Sequence, residues 1–432
     1  MNNTTVMSNQ ILLKPAIIIL DLILLFLLLH FLPYPLPITK ALSLLIFIAV
    51  LWLTEATHVT VTALLVPILA VLLGILEVQP ALSHFSNSTI FLFFGGFALA
   101  AALHKQKLDQ LLASKIISLA KGKLFIAVLM LFAISAFLSM WISNTATVAM
   151  MLPLAIGMTG HLDPEQDRSS ITFILLGVAY SASIGGIGTL VGSPPNVIAA
   201  AQTGLSFIQW MRIGIPIVFI LLPIAIVILF FFFKPKLGSR YTPEKITFVW
   251  TINSKLTLAI FLCTVIAWVG SVPLSNLLGG IAQFDTLIAL IAAVLICLTG
   301  VASWQDIEQQ TEWGVLILFG GGIALSAVLK ETGTSLFLAQ HITTIFAATS
   351  PLFLFSIIAS FVVFLTEFTS NTATAALLVP LFAGVAESLG ISVIAISVMV
   401  SVACSCAFML PVATPPNAIV FSSGLVRQQD MI

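Results

Sequence analysis

The chain has 432 residues, of which 60% are hydrophobic and only 7% charged, with a mean hydropathy of +1.18. A soluble domain carries about 25% charged residues, so this composition excludes one and makes lipid the main solvent. The formal net charge is zero, which argues against a nucleic-acid partner.

The apolar runs are continuous and do not alternate, so they predict spanning helices and not barrel strands. Helices are expected at about 11–31, 38–53, 59–76 and 82–103. The first run carries Lys14 and lacks a small-residue cleavage site, so it reads as a transmembrane helix and not a signal peptide. A Lys-bearing amphipathic stretch at 105–120 is expected at the membrane interface. A hairpin then covers about 124–158, followed by a helix broken at Gly192–Asn196 and a helix near 212–233. Residues 234–255 form a polar linker. The second half is expected to hold helices near 256–270, 284–300 and 314–330, and an interfacial stretch near 333–346. Its hairpin covers 350–386, and a broken helix runs from 391 to about 424. The domain reading is an N-terminal helix over 1–35, a first repeat over 36–233 and a second over 256–432.

Three landmarks recur in order. Phe93–Gly96 is echoed by Phe319–Gly322, Ser143-Asn144-Thr145 by Ser370-Asn371-Thr372, and Gly192–Asn196 by Ala413–Asn417. The offsets of 226, 227 and 221 residues follow from those positions and imply a duplication, a common plan for secondary transporters. Lys105, Lys107, Lys115, Lys121 and Lys123 cluster in one segment, and Lys234, Lys236, Arg240, Lys245 and Lys255 in another. Placing both in the cytoplasm satisfies the positive-inside rule. That placement puts the N-terminus inside and inverts the two halves. Asn417 is followed by 15 residues, whereas Asn196 precedes a full helix. The expectation is that a last helix is missing through truncation.

Each Ser-Asn-Thr tip interrupts an apolar stretch with a carboxamide and hydroxyls. Helix ends that stop inside a membrane leave unpaired N–H and C=O groups, and these attract anions and cations respectively. Ser139 precedes Ser143 by one turn, and Thr366 precedes Ser370 likewise. The Pro-Pro steps free backbone carbonyls. One Na⁺ is therefore placed against Ser139, Ser143, Asn144 and Gly192, and a second against Thr366, Ser370, Asn371 and Ala413. The substrate is placed near Asn144, Thr145, Ser193, Asn371, Thr372, Thr414 and Pro415. Thr145 and Thr372 are expected to cap the following half-helix and to offer hydroxyls to a carboxylate. Pro153 and Pro380 are expected to bend or weaken the second arm. Taken singly, such residues glue or kink helices; it is the duplication that favours a site.

Other groups carry less. Glu367, beside the second tip, invites a proton-relay reading or a structural one. Glu55 and His58 are expected near a helix end, and Asp163, Glu165, Asp167 and Arg168 in a solvated loop. Cys263, Cys297, Cys404 and Cys406 sit in apolar sequence and read as packing residues. Asn2, Asn3 and Asn87 begin formal glycosylation sequons. No zinc cluster, nucleophile–base pair or phosphate loop with a lysine is present, so neither an enzyme nor an ATP-driven pump has support.

At Ser143–Thr145, Ser370–Thr372, Gly192–Asn196 and Ala413–Asn417 the chain resembles the divalent anion:Na⁺ symporter family, across essentially its whole length. The resemblance implies an all-α polytopic protein with inverted repeats, two re-entrant hairpins and two broken helices. It further implies scaffold and transport domains moving as an elevator, a homodimer in the bacterial inner membrane, and at least two Na⁺ per C4 dicarboxylate such as succinate, malate or fumarate. A citrate or sulfate carrier, a proton-coupled antiporter and a channel stand as alternatives.

Overall fold

The computed structural model describes residues 2–160, 162–163, 166–240, 248–346 and 351–432, with side chains undescribed at 2–13, 342–346 and 351. Glu165, Lys245, the side chains of Asn2 and Asn3, and residue 350 at the start of the second expected hairpin lie outside the described residues.

Among the described residues the regular secondary structure is all helical, apart from one isolated bridge between Lys123 and Arg240. In chain order the first half comprises α1 (Asn2–Phe31), α2 (Leu36–Thr54), α3 (Val59–Leu72), α4 (Val78–Ser83), α5 (Ser88–Lys105), α6 (Leu108–Ser118), α7 (Leu124–Ser139), α8 (Asn144–Thr159), α9 (Arg168–Gly185), α10 (Pro194–Thr203) and α11 (Phe207–Phe233). The second half comprises α12 (Ile252–Val269), α13 (Ser271–Leu277), α14 (Phe284–Leu298), α15 (Trp304–Gln310), α16 (Trp313–Glu331), α17 (Thr334–Phe346), α18 (Pro351–Thr366), α19 (Asn371–Leu389), α20 (Val393–Cys404) and α21 (Pro415–Ser422). Among the described residues, 8 helices are long and apolar enough to cross a membrane. The all-α polytopic reading holds.

The elements fall close to their expected places, and the differences have local causes. The helix expected at 82–103 is interrupted at Asn87, whose side-chain oxygen accepts from Thr89 N at 2.9 Å and restarts the chain as α5. α3 stops at Leu72 because the chain turns through Gly74 at φ +65°. α11 begins earlier than expected because Ser206 and Gln209 form a capping box in front of it. Glu55 ends α2 in the left-handed region and His58 caps α3, as the helix-end reading required.

Two compact units form, each drawing on both halves of the chain. The first unit is residues 1–90, 201–203 and 313–404; the second is 91–200, 204–312 and 405–432. In the first, α16 packs against α3 and α19. Glycines allow this: a Cβ on Gly321 would stand 2.7 Å from the Ala63 carbonyl oxygen, and one on Gly320 2.3 Å from the Phe85 ring. In the second, α9 is enclosed by α7, α8 and α11, and every residue from Ser170 to Gly185 is buried. Phe132 of α7 presses so closely on Gly177 of α9 that a Cβ there would lie 2.1 Å from the ring. Lipid tails remove the hydrophobic drive between helices, so close small-residue packing of this kind holds a membrane bundle together. The outer faces agree: Ile19, Leu20 and Phe26 on α1 and Phe219, Phe231 and Phe232 on α11 are exposed. Such faces suit hydrocarbon and would aggregate in water.

Candidate functional site

Both Ser-Asn-Thr segments lie where one helix ends and the next begins. α7 ends at Ser139 and α8 starts at Asn144; α18 ends at Thr366 and α19 starts at Asn371. The two joints share one side-chain contact. Ser139 Oγ donates to Asn144 Oδ1, and Thr366 Oγ1 donates to Asn371 Oδ1 at 2.7 Å. Ser139 and Thr366 are fully buried, whereas Ser143, Asn144, Thr145, Ser370, Asn371 and Thr372 are half-buried. Each joint thus sets a buried hydroxyl against a half-buried amide oxygen at its polar rim.

The capping role differs from expectation. Ser143 is the N-cap of α8, accepting from Ala146 N at 3.3 Å, and Ser370 holds the N-cap position of α19 with an extended backbone. Thr145 and Thr372 lie one residue inside the helices and do not cap them. The reason is that the helix starts at Asn, so Ser is the residue whose backbone is still extended. Ser143 Oγ is therefore engaged with the backbone, and Ser139 reaches Asn144 and not Ser143. α8 and α19 run through Pro153 and Pro380 without a break in the helix.

In the second unit, the first joint is backed by the break after α9. Thr189 Oγ1 donates to the Met140 carbonyl at 2.5 Å, tying the break to the turn before the tip. Gly186 and Gly192 bring bare backbone against that turn. A Cβ on Gly186 would stand 2.5 Å from Asn144 Oδ1 and 2.9 Å from the Gly192 carbonyl oxygen. A Cβ on Gly192 would stand 2.5 Å from the Gly186 carbonyl oxygen and 2.9 Å from that of Ser139. Asn144 Oδ1 and the carbonyls of Ser139, Gly186 and Gly192 thus crowd one small volume, with no charged side chain among them. Uncharged hard oxygens at close quarters are the donor set of an alkali cation. Ser139, Asn144 and Gly192 were expected there. Gly186 was not, although the run Gly185-Gly186-Ile187-Gly188 signals close backbone approach.

The breaks themselves are built alike. Ser193 (φ −150°, ψ 137°) and Thr414 (φ −143°, ψ 148°) are extended N-caps, each followed by two prolines that open α10 and α21. Thr414 Oγ1 accepts from Asn417 N at 3.2 Å. Ser193, Gly192, Ala413 and Thr414 are buried, while Pro415 is exposed. Asn196 and Asn417, both fully buried, hold the breaks open by donating to carbonyls behind them. Both asparagines stand in the repeated Pro-Pro-Asn motif, where nothing in the sequence alone marks them as the groups that hold the breaks.

Membership of the units divides the expected site residues. Asn144, Thr145, Ser193, Thr414 and Pro415 fall in the second unit together with Ser139, Ser143, Gly192 and Ala413. There α21 packs against α8 and α9. Asn371, Thr372, Thr366 and Ser370 fall in the first unit. Thr366 Oγ1 there also lies 3.3 Å from the Cys404 carbonyl oxygen at the end of α20, an acceptor that sequence reasoning missed. Thr369 and Thr374 share a hydrogen bond of 2.6 Å beneath the second tip, and Glu367 is buried beside it.

Comparison with known proteins agrees with this chemistry. The citrate transporter family matches residues 49–404. An uncharacterized transporter of Haemophilus influenzae is 54% identical over 423 residues, covering 96% of this chain and 92% of its own length. The sodium-dependent dicarboxylate transporter SdcS of Staphylococcus saprophyticus is 32% identical, covering 90% of this chain and 81% of its own length. The protein of the same name in Staphylococcus aureus strain USA300 is 33% identical, with 96% and 86% covered. The oxygen clusters at the two joints, the apolar helices and this similarity converge on one assignment. The chain is a multi-pass membrane transporter of the citrate transporter family, related to the sodium-dependent dicarboxylate transporters of the divalent anion:Na⁺ symporter group.

Proposed function

We propose that the protein imports C4 dicarboxylates such as succinate, malate and fumarate, coupled to Na⁺. The observation that carries this reading is the pair of matching oxygen contacts, buried Ser139 with half-buried Asn144 and buried Thr366 with half-buried Asn371. One Na⁺ binds Asn144 Oδ1 with the carbonyls of Ser139, Gly186 and Gly192, and Ser143 flanks it. A second binds at Thr366, Ser370 and Asn371. Asn144, Thr145, Ser193, Asn371, Thr372, Thr414 and Pro415 bind the dianion through amides, hydroxyls and backbone N–H groups. Cations fill first, because two carboxylates leave water only where positive charge offsets their desolvation. The protein works as a homodimer in the bacterial inner membrane with its N-terminus inside, through inverted re-entrant hairpins and an elevator motion.

The test is uptake of labelled succinate into proteoliposomes with and without an inward Na⁺ gradient. Accumulation above equilibrium only with the gradient supports the reading. Uptake without Na⁺ removes the coupling claim. The family match favours citrate as a second reading. Labelled citrate taken up in preference to succinate would make citrate the substrate. A gradient of protons replacing that of Na⁺, with loss in Glu367→Gln, would move the coupling to the buried carboxylate.

A further inference from the structure

Behind the first tip, the second unit contains a cavity of about 270 Å³ beside α6, enclosed mainly by apolar side chains. Leu108 and Leu112 of α6 form one wall, and Leu138 and Trp141, just before the first tip, form another. Phe261 of α12 closes the back. The volume is near the lower end for small-molecule sites, about 300 Å³, and suits a single hydrocarbon segment. Trp141 has a buried indole N–H with no acceptor.

The rim is cationic. Lys115 lines the cavity and sits over the Trp250 ring, 6.0 Å from its centroid. Lys107, Lys121 and Lys123 are exposed nearby in sequence. The acids of this region are already engaged. Asp109 is paired with His104 at 2.9 Å. Asp306 is paired with Lys105 at 2.8 Å, and that contact together with Ser303 holds its carboxyl down to about 2. Lys115 makes no ion pair among the described residues. α6 buries Leu108, Leu111 and Ile117 and exposes Lys115 and Ser118, the pattern of a helix lying in a headgroup layer.

We infer that this cavity is a binding site for an anionic phospholipid of the bilayer, with one acyl chain against Leu112 and Leu138 and the phosphate on Lys115. The occupant joins α6 to the end of α7, so it steadies the turn that carries Ser143. Binding is read independently of transport.

The experiment uses the full chain in phosphatidylcholine nanodiscs containing increasing phosphatidylglycerol with brominated acyl chains, and reads tryptophan quenching. The expected result is a saturable component at low phosphatidylglycerol content that shrinks in Trp250→Phe and is lost when Trp141→Phe is added, since both indoles line the cavity. Lys115→Gln should move its midpoint about fivefold higher, the worth of one lysine near an anionic surface. Leu112→Phe, which fills the cavity and keeps the charge, should weaken the same component. The same curve with brominated phosphatidylcholine, or an unchanged midpoint in both Lys115→Gln and Leu112→Phe, would overturn the site. Displacement of the lipid by excess inorganic phosphate would overturn the lipid as its source.

Discussion

Asn196 and Asn417 hold two helix breaks open through the same pair of hydrogen bonds. Asn196 Nδ2 donates to the Gly186 and Thr189 carbonyls, 10 and 7 residues earlier, at 2.8 and 2.7 Å. Asn417 Nδ2 donates to the Ala407 and Leu410 carbonyls, again 10 and 7 residues earlier, at 3.2 and 3.0 Å. A helix that stops leaves carbonyls without partners, and one buried amide satisfies two of them on each occasion.

Replacing either asparagine by alanine leaves two buried carbonyls unpaired, each worth about 1–3 kcal/mol. Asn196→Ala is expected to lower thermal stability and abolish uptake, because the Gly186 carbonyl it releases is one of the ligands proposed for the first Na⁺. Asn417→Ala should cost less, since its bonds are longer. Unfolding temperatures equal to wild type in both variants would show that the breaks are held by other means.

Gly192→Ala sets a Cβ 2.5 Å from the Gly186 carbonyl, a backbone atom that cannot swing away. Gly186→Ala meets Asn144 Oδ1 most closely, a side-chain atom with some freedom, and the Gly192 carbonyl oxygen less tightly at 2.9 Å. The Na⁺ concentration for half-maximal uptake should rise about tenfold or more in Gly192→Ala and less in Gly186→Ala. Gly157→Ala is the control, because nothing lies within 4 Å of its Cβ position. Unchanged Na⁺ dependence in Gly192→Ala would remove the first ion from this place.

Thr366→Ala deletes the hydroxyl that orients Asn371 Oδ1 and lies near the Cys404 carbonyl. It should raise the Na⁺ requirement severalfold at constant substrate, and Thr366→Ser should restore it. A serine variant as impaired as alanine would assign Thr366 a packing role through its methyl group.

Asn144→Asp and Asn371→Asp put a negative charge at the rim. Repulsion should raise the half-saturating succinate concentration by tenfold or more, because like charges at about 4 Å cost up to about 4 kcal/mol near a protein surface. The Na⁺ requirement should fall, since the same charge attracts the cation. Movement of both constants in one direction would point to misfolding and not to electrostatics at the site.

Composition alone decided that lipid surrounds this chain, because 7% charge cannot cover a soluble surface. Length and continuity of the apolar runs located almost every helix, since each spanning helix satisfies its own backbone and so is written locally. The repeated Ser-Asn-Thr and Pro-Pro-Asn segments likewise announced the tips and the breaks, because Pro and Asn act on their own neighbourhood. Tertiary structure decided the partners. Gly186 joins Asn144, Thr189 joins Met140 and Cys404 joins Thr366 only because distant segments fold against one another. Backbone carbonyls supply most of these contacts, and a carbonyl has the same chemistry in every residue, so no residue type in the sequence could mark which ones line the site.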